Sequence, residues 1–189
     1  MNITLELSGT MPMLMHNITL ADPDNPIVQE ISTFTAKRKK TEDDRRAIER
    51  LEWFGGLYVD AGRIVLPTAN IRRCLVEAGK VTKQGLQITR ALSFGELNVP
   101  LAYEGPSSPE ELFKLPSFHD RAAVGIQGKR TMRVRPKFPT WAAVASAVLL
   151  ESVMDIDDLR RVAALAGQAI GIGDNRVNGY GRFAAQIRA

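Results

Sequence analysis

Gly167-Gln-Ala-Ile-Gly-Ile-Gly-Asp-Asn-Arg-Val-Asn-Gly-Tyr-Gly-Arg-Phe183, near the end of a 189-residue chain, is the stretch on which the reading of the fold turns. Gly167, Gly171, Gly173, Gly179 and Gly181 fall between a helix-like segment and a strand-like one. Glycine loses more backbone freedom on folding than any other residue, so such a cluster requires left-handed φ angles or close approach of the backbone to something else. Arg176 and Arg182 supply positive charge, and Asp174 is the only acid. Two readings follow: a loop that faces phosphate, or an extended helix C-cap followed by a turn.

Outward from that stretch, composition sets limits. The chain is 44% apolar and 24% charged, which suits one globular domain with a real core. It has no run of about 18 apolar residues, so no membrane span is expected. Its first residues, Met1 to Leu7, lack a basic segment followed by a long apolar one, so no secretory signal is expected either. Cys74 is the single cysteine, which excludes an internal disulfide and a cysteine zinc cluster within one chain. A cytoplasmic protein is the expectation. The net charge of +4 points mildly to a polyanionic partner, and its distribution says more. Residues 121–137 hold Arg121, Lys129, Arg130, Arg133, Arg135 and Lys137 with no acid among them. Lys37-Arg38-Lys39-Lys40 is followed by Glu42, Asp43 and Asp44, and reads as a solvated loop feeding a helix.

Periodicity gives the elements. Ile3, Leu5 and Leu7 alternate with polar residues, as in a strand with one buried face. Residues 27–40 look irregular. Thr41 caps a helix running to about Phe54 and ended by Gly55-Gly56, with acids in its first turn. A hairpin over 57–66 turns at Asp60-Ala-Gly62. The spacing predicts a helix over 68–79, with Ile71, Cys74, Leu75 and Ala78 on one face and Arg72 and Arg73 beside it. Cys74 therefore reads as a core thiol rather than a nucleophile. A strand over 94–103, a short helix near 109–113 and a strand–turn–strand over 119–137 around Gly128 follow. Alternation there sets Arg133, Arg135 and Lys137 on one face, opposite Met132 and Val134. A strand over 141–150, a helix over 156–170 and a last strand over 180–187 complete the chain.

The core order is β-α-β-β-α-β, an α+β ferredoxin-like arrangement in one domain of 189 residues, with insertions at about 11–66 and 104–139. Insertions of that size on a small core are expected to carry function. Two local stretches then resemble the RAMP superfamily, the RRM-related subunits of CRISPR effector complexes. Pro67, Ile71 and Arg72 match the start of the first helix in that family, although Thr68-Ala-Asn70 replaces its small Gly-Ser-Ser. Gly179-Tyr-Gly-Arg-Phe183 matches closely the loop before the final strand. The chain is also similar to small phage and prophage proteins that share Arg135-Pro-Lys-Phe138 and the Gly-Asp-Asn-Arg pattern.

The resemblance implies sequence-independent binding of a single-stranded nucleic-acid backbone, RNA ahead of DNA. It also implies copies assembling along the strand and CRISPR-complex subunits as partners. The residues nominated for contact are Lys37, Arg38, Lys39, Lys40, Arg72, Arg73, Lys129, Arg130, Arg133, Arg135 and Lys137, with Gly173, Asn175, Arg176, Gly179, Tyr180, Gly181 and Arg182 of the glycine loop. Phe34, Trp53, Phe138 and Trp141 are further aromatics, for which core packing is the commoner role. His16 and His119 stand in no catalytic spacing, and no phosphate-loop lysine, nucleophile elbow or metal-binding histidine motif occurs. A non-catalytic protein without metal or cofactor is the expectation. Two other readings stand beside it: a phage-encoded inhibitor or mimic of a CRISPR subunit, and a phage virion or assembly protein.

Overall fold

The computed structural model describes residues 1–126 and 129–189. Its elements begin with β1 (Asn2–Gly9), β2 (Met13–Leu14), α1 (Pro26–Thr35), α2 (Glu42–Gly56), β3 (Val59–Asp60), β4 (Arg63–Pro67) and α3 (Thr68–Val81). The next are α4 (Gly85–Ala91), β5 (Leu92–Phe94), β6 (Asn98–Pro100) and α5 (Pro109–Phe113). They end with β7 (His119–Ile126), β8 (Lys129–Phe138), β9 (Ala142–Leu149), α6 (Ile156–Leu165) and β10 (Phe183–Arg188). The chain forms two compact units. One comprises Met1–Met13, Val59–Glu104 and Pro139–Ala189, the other Leu14–Tyr58 and Gly105–Phe138. Among the described residues, no helix is long and apolar enough to cross a membrane.

The first unit holds the ferredoxin-like core. Its sheet runs β10-β1-β9-β5, antiparallel throughout. Ile3, Leu5 and Leu7 bury one side of β1, and Ala143, Ala145, Ala147 and Leu149 bury one side of β9. The stripe read from the sequence of α3 is buried as expected, at Ile71, Cys74, Leu75 and Ala78. Leu159, Val162 and Ala163 do the same on α6, which packs against α3 and β10. Helices after the first and third core strands, with this strand order, are the ferredoxin-like signature.

The strand expected over 94–103 divides in two. Leu92–Phe94 pairs with β9, whereas Asn98–Pro100 pairs with β4 in a separate small sheet, β3-β4-β6. Between them Gly95, Glu96 and Leu97 are exposed, and Pro100 has no N–H to extend a central ladder. The 57–66 hairpin forms, with Val59 opposite Ile64 and left-handed Ala61 and Gly62 at its turn.

The second unit is built on α2. Thr41 and Asp44 close a capping box: the Asp44 N–H donates to Thr41 Oγ1 at 3.1 Å, and the Thr41 N–H donates to Asp44 Oδ2 at 2.9 Å. The helix ends at Gly55-Gly56 as expected, with both glycines its buried last two residues, two beyond Phe54. A Cβ on Gly56 would stand 2.8 Å from Pro136 Cδ, so the helix lies close on β8 only because that position is glycine. The sheet order is β2-β8-β7. Trp53 is fully buried and donates its indole N–H to the Phe118 carbonyl at 2.9 Å. Of the residues 27–40 that look irregular in sequence, 27–35 are helical and belong to α1, which starts at Pro26. The Asn25 side chain accepts the Ile27 N–H at 2.9 Å, and Pro26 occupies the first turn.

Candidate nucleic-acid interface

The glycine loop is tightly laced to its own unit. A π-helical turn, Ala166–Ile170, extends α6, and Gly171 closes it at φ +79°, its N–H donating to the Ala166 carbonyl at 2.8 Å. The Ile172 N–H donates to the Gly181 carbonyl at 2.9 Å, and the Gly181 N–H to the Pro12 carbonyl at 2.8 Å. Gly173, Asn175, Gly179 and Gly181 are all left-handed. A side chain on Gly181 would overlap the Ile172 carbonyl, and one on Gly167 the Phe183 carbonyl. The close approach that these glycines permit is therefore of the loop to its own neighbours. Asn175 and Asn178 bond side chain to side chain at 2.6 Å, Tyr180 is half-buried, and Val177 stands at the apex 94% exposed.

The arginines of this unit have protein partners. Arg176 Nη1 donates to Glu77 Oε2 at 2.6 Å and Arg73 Nε to Glu77 Oε1 at 3.2 Å. Partial burial pushes the Glu77 carboxyl up, but the bonds from Arg176 and Arg73 outweigh it and hold the group below its ordinary value. Arg72 donates to the Thr89 carbonyl. Arg182 Nη2 donates to the Arg176 carbonyl at 3.3 Å, while its Nη1 is buried without a partner among the described residues. Burial pushes the Cys74 thiol up to about 12, which leaves it protonated and inert.

In the second unit, the stretch 121–137 is not the uncompensated cationic run that it resembles in sequence. Arg121 Nε donates to Glu49 at 2.8 Å, Arg133 pairs with Glu52, and Arg135 binds Asp120 through Nε at 3.0 Å and Nη2 at 2.6 Å. Glu49 and Glu52 lie on α2, some seventy to eighty residues away in sequence, and no local window reveals them. Arg135 is itself buried. Arg130 is exposed and Lys137 half-buried, and among the described residues neither makes an ion pair or hydrogen bond. The Lys129 side chain and the Gly128 turn lie outside the described residues.

β7 and β8 pair from His119–Pro136 out to Ile126–Lys129. Toward the far end Ala123, Gly125, Arg130, Thr131 and Met132 are exposed, so the hairpin presents both its faces to solvent. In the basic loop, Lys37 is held by Asp44 at 2.5 Å and lies 5.1 Å from the Phe34 ring centre, and Lys40 donates to the Lys37 carbonyl at 3.2 Å. Arg38 and Lys39 are exposed and make no such bond among the described residues. Phe138, Trp53 and Trp141 are core residues, and Phe34 is half-buried.

One cluster escapes the sequence reading. Arg50 lies over Phe54, 4.4 Å from its centre, and beside Phe113, whose ring centre is 4.8 Å from that of His119. The i,i+4 spacing of Arg50 and Phe54 is its only local signal.

These features define an α+β protein with a ferredoxin-like core and a glycine-rich loop before its last strand. No protein-family model matches the chain, and no curated protein matches it. Among solved structures it is similar to a chain of a Type IV-B CRISPR complex, with a TM-score of 0.52 and 10% identity over 100% of this chain and 91% of that one. Cmr6 from Pyrococcus furiosus is also similar, with a TM-score of 0.37 and 8% identity over 98% of each chain. At 10% identity the first likeness is one of fold alone.

Proposed function

We propose that the protein binds the backbone of single-stranded nucleic acid, RNA ahead of DNA, largely without regard to base sequence and without catalysing a reaction. The observation that carries this reading is the set of cations within 37–40 and 130–137 that make no ion pair or hydrogen bond among the described residues: Arg38, Lys39, Arg130 and Lys137. Their neighbours Lys37, Arg133 and Arg135 are neutralised, so these four carry the charge that a polyphosphate can use. The fold likeness to a chain of a CRISPR complex supports the reading, as does the Gly179–Phe183 resemblance, and assembly along the strand with other subunits of such a complex belongs to the same proposal.

The N–H groups of the glycine loop at Gly171, Ile172 and Gly181 already bond within the first unit, so they are not available to a phosphate. Mobility shifts with single-stranded RNA and DNA at rising salt test the proposal. Affinity is expected to fall steeply with salt, and joint replacement of Lys39 and Arg130 by alanine is expected to weaken binding equally for unrelated sequences. Binding that is flat in salt, or unchanged in the double variant, overturns it.

A further inference from the structure

The second unit contains a hollow of about 340 Å³ lined by Arg46, Ala47, Glu49 and Arg50 of α2 and by Phe113 and His119. That size is at the small end of ligand pockets, which run from roughly 300 to 1,000 Å³. Arg46 is paired with Glu42 at 2.5 Å, and Arg50, Glu49, Phe113 and His119 are the groups that suit a flat, charged ligand. The Arg50 guanidinium lies over the Phe54 ring at 4.4 Å and 5.3 Å from the Phe113 ring centre, while its N–H groups make no bond among the described residues. Such N–H groups suit a phosphate.

Glu49 uses Oε1 to accept from Arg121 at 2.8 Å and keeps Oε2 for another donor. His119 Nε2 stands 2.7 Å from the Phe113 carbonyl. A carbonyl only accepts, so Nε2 carries a proton and donates it there. Behind the wall Trp53 backs both rings, 5.3 Å from Phe113 and 5.7 Å from His119, so the aromatic surface is rigid. Two other hollows, of about 420 and 600 Å³ in the first unit, offer no exposed aromatic wall of this kind.

We propose that this hollow binds a single nucleotide. An amino-bearing base lies against Phe113 and His119, its amino group donates to Glu49 Oε2, and its phosphate meets the Arg50 guanidinium. The source is either a free nucleotide or the phosphorylated end of a strand. Neither depends on the backbone contacts proposed for Arg38, Lys39, Arg130 and Lys137.

Calorimetric titration of the full chain with adenosine, guanosine and cytidine monophosphates tests the proposal, with inorganic phosphate and adenosine as controls. Saturable binding is expected for the monophosphates, with each control at least about tenfold weaker. Arg50→Ala is expected to lower affinity roughly tenfold to a hundredfold, the range for one charged hydrogen bond, and Arg50→Lys to recover part of it. Arg50 is exposed, so the melting temperature serves as a check that the variants remain folded.

An oligonucleotide with a 5′-phosphate that displaces the nucleotide, where its unphosphorylated twin does not, assigns the strand end; failure to displace assigns the free nucleotide. No saturation by any monophosphate, binding undiminished in Arg50→Ala, or inorganic phosphate binding as well as the nucleotides overturns the proposal. The Lys39 and Arg130 double variant is expected to leave nucleotide binding unchanged, so failure of one proposal is distinguishable from failure of the other.

Discussion

Gly179 and Gly181 are two residues apart, share left-handed φ angles of +87° and +70°, and differ in everything around them. A Cβ on Gly179 meets nothing within 4 Å, whereas one on Gly181 collides with the Ile172 carbonyl. Gly179→Ala is therefore expected to lower stability by about 1–2 kcal/mol, the cost of a left-handed alanine. Gly181→Ala carries the same cost and must also displace the Ile172–Gly181 bond, so its loss is expected to exceed about 2 kcal/mol. Chemical denaturation of the two variants checks the order, and equal losses would mean that the collision relaxes freely. The sequence makes the need for glycine visible at both positions. It does not say what comes close, because a phosphate and a carbonyl from the same loop demand the same missing side chain. The same blindness applies to Arg133 and Arg135, whose charge is legible and whose carboxylate partners are not.

Helix α2 shows what is legible at the scale of an element. Its start is written locally in Thr41 and the acids after it, and the capping box forms where that pattern places it. Its end is legible too, at Gly55-Gly56, but not the packing role of those glycines, which Leu20 and Pro136 approach closely. α1 was hidden by an ambiguity: Asn25-Pro26 signals a turn and a helix start equally well. The hydrogen bond from Lys37, with the Thr41 N–H behind it, holds the Asp44 carboxyl at about 2, below its ordinary 3.8. The folded state thus binds this proton less tightly than the unfolded chain. The resulting stability is complete above about pH 4 and is lost as the pH falls toward about 2. Asp44→Asn is expected to lower the melting temperature at neutral pH and to flatten part of the acid-side loss; an unchanged acid limb would exclude Asp44 as a contributor. Thr41→Ala, which removes the other half of the box, is expected to cost about 1 kcal/mol in the same melts.

For the molecule as a whole, the ferredoxin-like order is readable because most core elements carry a signal of their own: alternation in β1 and β10, an apolar run in β9, and the three-and-four spacing in α3 and α6, while β5 has none. The association of Leu14–Tyr58 with Gly105–Phe138 is not, because it rests on pairings such as Trp53 with Phe118 and Glu52 with Val134 that join distant segments. Those pairings also reduce the usable charge. A polyanion track drawn from sequence counts every cation in 37–40 and 129–137, whereas among the described residues the structure leaves Arg38, Lys39, Arg130 and Lys137 without an ion pair or hydrogen bond. The difference is measurable. Each phosphate neutralised on a single strand contributes about −0.7 to the slope of log K against log salt, so four contacts give a slope near −3. Eight or more contacts would give a slope beyond about −5. Alanine at any of the four is expected to make the slope shallower by about 0.7, while Arg135→Ala is expected to leave the slope unchanged and to lower stability by stranding the Asp120 carboxylate. A slope that changes with Arg135 and not with Arg130 would mean that the ion pairs open to the nucleic acid, and the charge count from sequence would then be the better guide.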